Sequence, residues 1–100
     1  MSALRYEAAF TRDLERIVAH LAAHEVDDIQ ERVGGIFEAI ELLQRHPLIG
    51  RPVPAPRREL VIGRGVRGVR GYVALYRYDE AEDEVIVLGL RAQREAGFGD

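Results

Sequence analysis

The chain has 100 residues, 47% hydrophobic and 31% charged, a length and balance that suit one folded domain over residues 1–100 and exclude a mostly disordered chain. It contains no cysteine, so disulfides, thiolate metal sites and a thiol nucleophile are excluded. All 14 of its Lys+Arg residues are Arg; no lysine base or Schiff base exists, and anion recognition falls to planar, permanently charged guanidinium groups.

Arg5 interrupts the N-terminal segment, which has no continuous apolar stretch of the secretory kind. The longest apolar runs are a few residues, against about 20 for a membrane span, so no membrane role and a cytoplasmic location are expected. Leu4 to Glu7 reads as an edge strand. Phe10, Leu14, Ile17, Val18 and Leu21 follow at helical spacing on one apolar face. Thr11 reads as its N-cap, with Asp13 complementing the dipole of the first turn. Asp28 and Glu31 have the spacing of a capping box. They open a second helix with Ile29, Val33, Ile36, Phe37, Ile40 and Leu43 on one stripe. Gly34 and Gly35 inside it cost about 1 kcal/mol each relative to Ala, which predicts close approach of another element as compensation. His46-Pro47 ends the helix.

Four prolines between positions 47 and 56 make residues 46–57 an extended connection. Glu59 to Ile62, Val69 to Asp79 and Glu84 to Arg91 are β-branched and aromatic runs, read as strands, with the acidic stretch 79–84 as a hairpin loop. The expected fold is α+β: an N-terminal helical hairpin packed on one face of an antiparallel sheet, in the order β-α-α-β-β-β.

Charge is uneven along this layout. Residues 1–50 hold nine acids and five Arg, a balance of −4, whereas residues 51–78 hold seven Arg (51, 57, 58, 64, 67, 70 and 77) against Glu59, a balance of +6. Five acids then occupy the six positions 79–84. A basic stretch of this kind recruits a polyanion or an acidic protein segment. Other signals are weaker. Gly63-Arg-Gly-Val-Arg-Gly68 has the letters of a dinucleotide fingerprint but runs into a strand, where no helix N-terminus is present to hold a pyrophosphate. No cofactor is therefore expected. His20 and His24 are one helical turn apart without an evident third ligand, and the acids at 79–84 lack the spacing of a calcium loop, so no metal is expected. Ser2 and Thr11, the only serine and threonine, lie beside no histidine, which argues against a serine hydrolase.

The remaining chemistry is in Arg58, Arg64, Arg67, Arg70, Tyr72, Tyr76, Arg77, Tyr78, Arg91 and Arg94. Arginines among tyrosines can stabilise a phosphorane-like transition state in RNA cleavage, with aromatics stacking bases. They can equally dock an acidic protein segment through paired carboxylates.

Phe10-Thr-Arg-Asp-Leu-Glu-Arg-Ile17, His46-Pro-Leu-Ile-Gly-Arg-Pro52, Arg58-Glu59-Leu60, Gly71-Tyr-Val-Ala-Leu-Tyr-Arg77 and Val85-Ile-Val-Leu-Gly-Leu-Arg-Ala-Gln-Arg-Glu95 occur in this order. Together they resemble the RelE/ParE-type toxins of type II toxin–antitoxin modules, often called plasmid stabilisation proteins, over roughly residues 4 to 98. The resemblance implies a small toxin in a hetero-oligomer with a cognate antitoxin that covers its surface. It also implies one of two mechanisms. RelE-type members cut messenger RNA on the ribosome with basic side chains and a C-terminal tyrosine; ParE-type members inhibit DNA gyrase and are not nucleases. Where RelE-type toxins place an Arg after the first Tyr of the strand, this chain has Val73, and its last aromatic is Phe98, which has no hydroxyl. Neither neutralises phosphate charge nor carries a proton. The resemblance therefore favours the ParE-type, with a ribosome-dependent endoribonuclease using Arg94 and Tyr76 as the alternative. A degenerate member that binds its antitoxin without toxicity is a further one. Arg58, Arg77, Arg91 and Arg94 are the expected partner contacts.

Overall fold

Apolar spacing of 3–4 residues in the first half and β-branched and aromatic runs in the second produce two helices laid on one side of a five-stranded sheet. The structure, a computed structural model, describes residues 1–63 and 71–93. In chain order it contains β1 (Ala3–Tyr6), α1 (Ala8–Ala23), α2 (Ile29–Glu41), a 3-10 turn (Leu42–Gln44), β2 (Arg51–Pro52), β3 (Arg57–Ile62), β4 (Tyr72–Asp79) and β5 (Glu84–Ala92). The sheet order is β1-β5-β4-β3-β2. The fold is α+β, as expected, but the sheet is mixed. β2–β3, β3–β4 and β4–β5 are antiparallel, whereas β1 runs parallel to β5, with Leu4 opposite Val85 and Tyr6 opposite Val87. That pairing joins segments about 80 residues apart and has no signature in local periodicity.

The core lies between helices and sheet. Phe10 and Ile17 of α1, Ile36 and Ile40 of α2, and Leu43 just beyond meet Ile62, Tyr72, Ala74, Tyr76, Val85, Val87 and Leu90. Tyr6, Phe10 and Phe37 form an aromatic cluster with centroid distances of 4.9 to 6.0 Å, in the tilted and edge-to-face geometries that ring quadrupoles favour.

Several local readings are corrected. α1 begins three residues before Thr11, with Glu7 at its N-cap in extended conformation and no side-chain cap. β1 turns straight into Ala8 and Ala9, which need no help to be helical. Asp13 does not face the dipole from solvent. It is 2% exposed, and its Oδ2 accepts the Leu90 N–H at 2.9 Å. Asp28 does precede α2, but in a left-handed conformation (φ 58°) without a capping hydrogen bond; its carboxylate pairs with Arg32 at 3.2 Å. No described residue approaches Gly34 or Gly35: a Cβ at either would have none of them within 4 Å. Gly35 lines a shallow surface groove with Glu38, Ala39 and Leu42. The α-helix ends at Glu41, and the 3-10 turn carries the chain to the His46-Pro47 stop.

At the acidic hairpin, Asp83 ties the N-terminal strand to the sheet. Its carboxylate accepts from Ser2 Oγ at 2.5 Å and Tyr78 Oη at 2.6 Å, and its carbonyl accepts the Ala3 N–H. These donors, Ser2 first, hold the Asp83 carboxyl below its ordinary pKa.

Candidate functional site

Strand alternation divides the arginines between two environments. On β3, Leu60 and Ile62 point to the helices, and Arg58 shares their side. Arg57, Glu59 and Val61 take the opposite side, open in the sense that no described helix lies on it, although Val73 and Ile86 on that side are 2% and 0% exposed. On β4, Tyr72, Ala74, Tyr76 and Tyr78 belong to the helix side, leaving Val73, Leu75 and Arg77 on the open side. β5 changes parity midway. Val85 and Val87 belong to the core, and so does Leu90, because a register shift opposite Leu75/Tyr76 leaves Leu88 as an extra residue. Without that bulge Arg91 would share the parity of Val85 and Val87 and point into the core. With it, Arg91 stands opposite Val73 on the open face. Asp13 accepts the first amide N–H beyond Gly89, that of Leu90, so a carboxylate on α1 stabilises the irregularity that places Arg91.

Two helix-side members of the set, Arg58 and Tyr76, are committed to holding a loop. Arg58 Nη1 donates to the carbonyls of Leu48 at 3.1 Å and Gly50 at 2.8 Å. Tyr76 is fully buried, and its hydroxyl accepts the Gly50 N–H at 2.8 Å. Burial pushes its pKa up, against a smaller lowering by that amide and by Arg58. Gly50 is required by this closeness: a Cβ there would lie 2.6 Å from the Tyr76 ring and 2.7 Å from the Glu59 carbonyl oxygen. The stretch His46–Pro52 is thus anchored from beneath by Arg58, an expected partner contact, and Tyr76, a residue of the ribonuclease alternative.

The open face carries a cluster of paired charges. Glu59, with a side chain 12% exposed, takes Arg51 on Oε1 through Nε at 2.9 Å and Nη2 at 2.8 Å, and Arg91 on Oε2 at 3.7 Å. Arg91 Nη1 also donates to the carbonyls of Ala92 and Gln93. Two residues along, one row crosses four strands: Arg5, Ile86, Arg77 and Arg57. Arg5 is balanced by Glu7 at 3.5 Å and Glu84 at 3.6 Å. Of the expected contacts, Arg77 and Arg91 therefore share this face, Arg58 does not, and Arg94 lies outside the described residues, as do Arg64, Arg67, Arg70 and Phe98. Arg57 and Glu59 complete the face. Neither stands out by type or spacing; only the β3–β4 register brings them beside Arg77 and Arg91.

His20 and His24 pack ring on ring, with centroids 4.2 Å apart, and His24 Nδ1 lies 2.9 Å from the His20 carbonyl oxygen. Among the described residues no helix is long and apolar enough to cross a membrane.

No curated protein matches the chain. A family match exists, and it runs almost end to end: residues 4–97 fit the family described as the ParE toxin of type II toxin-antitoxin system, parDE. With a helical hairpin over a sheet bearing an arginine-lined open face, and a family match over nearly its whole length, the chain belongs to the ParE toxin family of type II toxin–antitoxin systems.

Proposed function

We propose that the protein is a cytoplasmic ParE-like inhibitor of DNA gyrase, of the kind found in plasmid stabilisation modules, and that its cognate antitoxin neutralises it by covering the arginines of the open face. Family membership carries the toxin assignment and an antitoxin partner. What supports gyrase over messenger RNA as the target is the strand Tyr72–Asp79. At the position where the ribonuclease reading needs a cation stands Val73, 2% exposed, and Tyr76, a residue that reading would use, is buried with its hydroxyl accepting the Gly50 N–H. An aliphatic side chain offers a phosphate no charge. A buried phenol with a raised pKa exchanges protons poorly near neutral pH.

Supercoiling and gyrase-dependent DNA cleavage with the purified protein test this. Inhibition at micromolar protein is expected, with cleavage complexes accumulating. Unaffected gyrase, together with messenger RNA cut at the ribosomal A site, sinks the proposal in favour of the endoribonuclease. Unchanged growth on expression without the antitoxin assigns a member that only binds.

A further inference from the structure

Across β3 and β4, Arg57 and Arg77 are directly opposed, which puts their Cβ atoms about 4.5–5.5 Å apart. Like charges so placed destabilise a sheet, and an arrangement that breaks a local rule at the expense of stability marks a functional position. The other described arginines of this face are engaged: Arg5 with Glu7 and Glu84, Arg51 with Glu59, and Arg91 with Glu59 and two carbonyls. The side chains of Arg57 and Arg77 make no hydrogen bond or ion pair among the described residues.

We infer that Arg57 and Arg77 form one carboxylate-binding fork, and that its occupant is an Asp or Glu side chain of the antitoxin. The inference rests on the antitoxin reading above and names the contact through which it acts. Two guanidinium groups side by side present parallel N–H donors that match the two oxygens of a carboxylate. The surroundings select for a single carboxylate over a nucleic-acid strand. Two residues along β3 in one direction the open face holds Glu59, and two residues along β4 in the other it holds Asp79 opposite Glu84. That distance is about 6–7 Å on each side, so a running phosphate backbone leaving the fork toward the hairpin meets Asp79, which no described arginine pairs. A peptide places one acid in the fork and apolar side chains over half-buried Leu75 beside it.

The test is the affinity of the full chain for its purified cognate antitoxin, by calorimetry at about 0.05 M and about 0.3 M salt, where screening differs strongly. Arg57→Gln and Arg77→Gln are each expected to weaken binding about tenfold at low salt and less at high salt, as charge-assisted hydrogen bonds of ordinary strength require. Arg12→Gln, on α1 away from this face, should stay within about twofold of wild type on the ordinary scale of exposed charges. Arg77→Lys should fall between wild type and Arg77→Gln, since it keeps the charge but loses the fork. Thermal melting of each variant separates lost binding from lost folding, and the fork predicts that no Gln variant melts below wild type. Wild-type affinity in the Arg57→Gln/Arg77→Gln double variant overturns this inference alone. A wild-type chain that binds no antitoxin overturns both it and the reading beneath it. A single-stranded RNA oligonucleotide bound by wild type and lost in the double variant, with antitoxin affinity unchanged, reassigns the face to nucleic acid and overturns it too.

Discussion

The two sides of the sheet use the same strands for opposite purposes. On the helix side the buried polar atoms have been drawn into hydrogen bonds. Asp13 holds the β5 bulge, Tyr76 and Arg58 hold the Gly50 loop, and no buried side-chain N or O atom among the described residues lacks a partner. On the open side, one row leaves two guanidinium groups opposed and unpaired among the described residues. The first arrangement lowers the energy of the fold; the second raises it and leaves donors for something else. Burial makes the difference, because an unsatisfied polar group costs about 1–3 kcal/mol away from water and little at the surface.

The largest effect should come from cutting the helix side at its centre. Tyr76→Ala removes a fully buried ring and is expected to cost about 3–5 kcal/mol in denaturant unfolding. Tyr76→Phe should cost about 1–3 kcal/mol, since only the Gly50 amide is then left unpaired. A loss below about 0.5 kcal/mol in the Phe variant would contradict the loop-anchoring role of the hydroxyl. Asp13→Ala strips the acceptor from Leu90 N–H and should also cost about 1–3 kcal/mol. It should broaden the amide NMR signals of residues 88–91 as well, whereas Asp13→Asn, which keeps an acceptor oxygen, should cost less.

On the outer surface of α2 the sign reverses. Gly34→Ala meets no described residue within 4 Å and should stabilise by about 0.5–1 kcal/mol through helix propensity alone. Arg57→Gln should stabilise by about 0.2–1 kcal/mol by relieving the opposed pair, read as a higher urea midpoint; a lower midpoint would erase the contrast between the two sides. The smallest effect concerns pH. Asp83 has a depressed folded-state pKa, so its contribution is present above the unfolded value of about 3.9 and lost as pH falls through the folded value. Ser2→Ala removes the leading donor, and its stability should therefore decline less steeply than wild type over that acid range.

Some elements were legible in sequence because their cause is local. Phe10, Ile17, Ile36 and Ile40 are core residues in the helical stripes that predict them, and the three C-terminal strands fall within a few residues of their β-branched runs. Caps are not local where a neighbouring strand sets the helix start, as β1 does three residues before Thr11. The glycines of α2 carry a propensity cost that no packing among the described residues offsets.

The candidate site was only half legible, for a related reason. Arg77 and Arg91 stand out by composition. Arg58, one residue from Arg57, is indistinguishable from it until strand parity turns one toward the loop and the other to the open face. Charge along a chain reports how many arginines are available, not which of them already have partners.

By itself the sequence determines the helix spacing, the strand content, the absence of thiol and lysine chemistry, and an arginine-rich second half, since residue type and short-range period specify these. Tertiary structure alone decided that β1 joins β5 in parallel, that a bulge held by Asp13 turns Arg91 outward, and that Arg57 faces Arg77. Each depends on pairing between segments separated along the chain, where a shift of one residue reverses the face of every side chain beyond it.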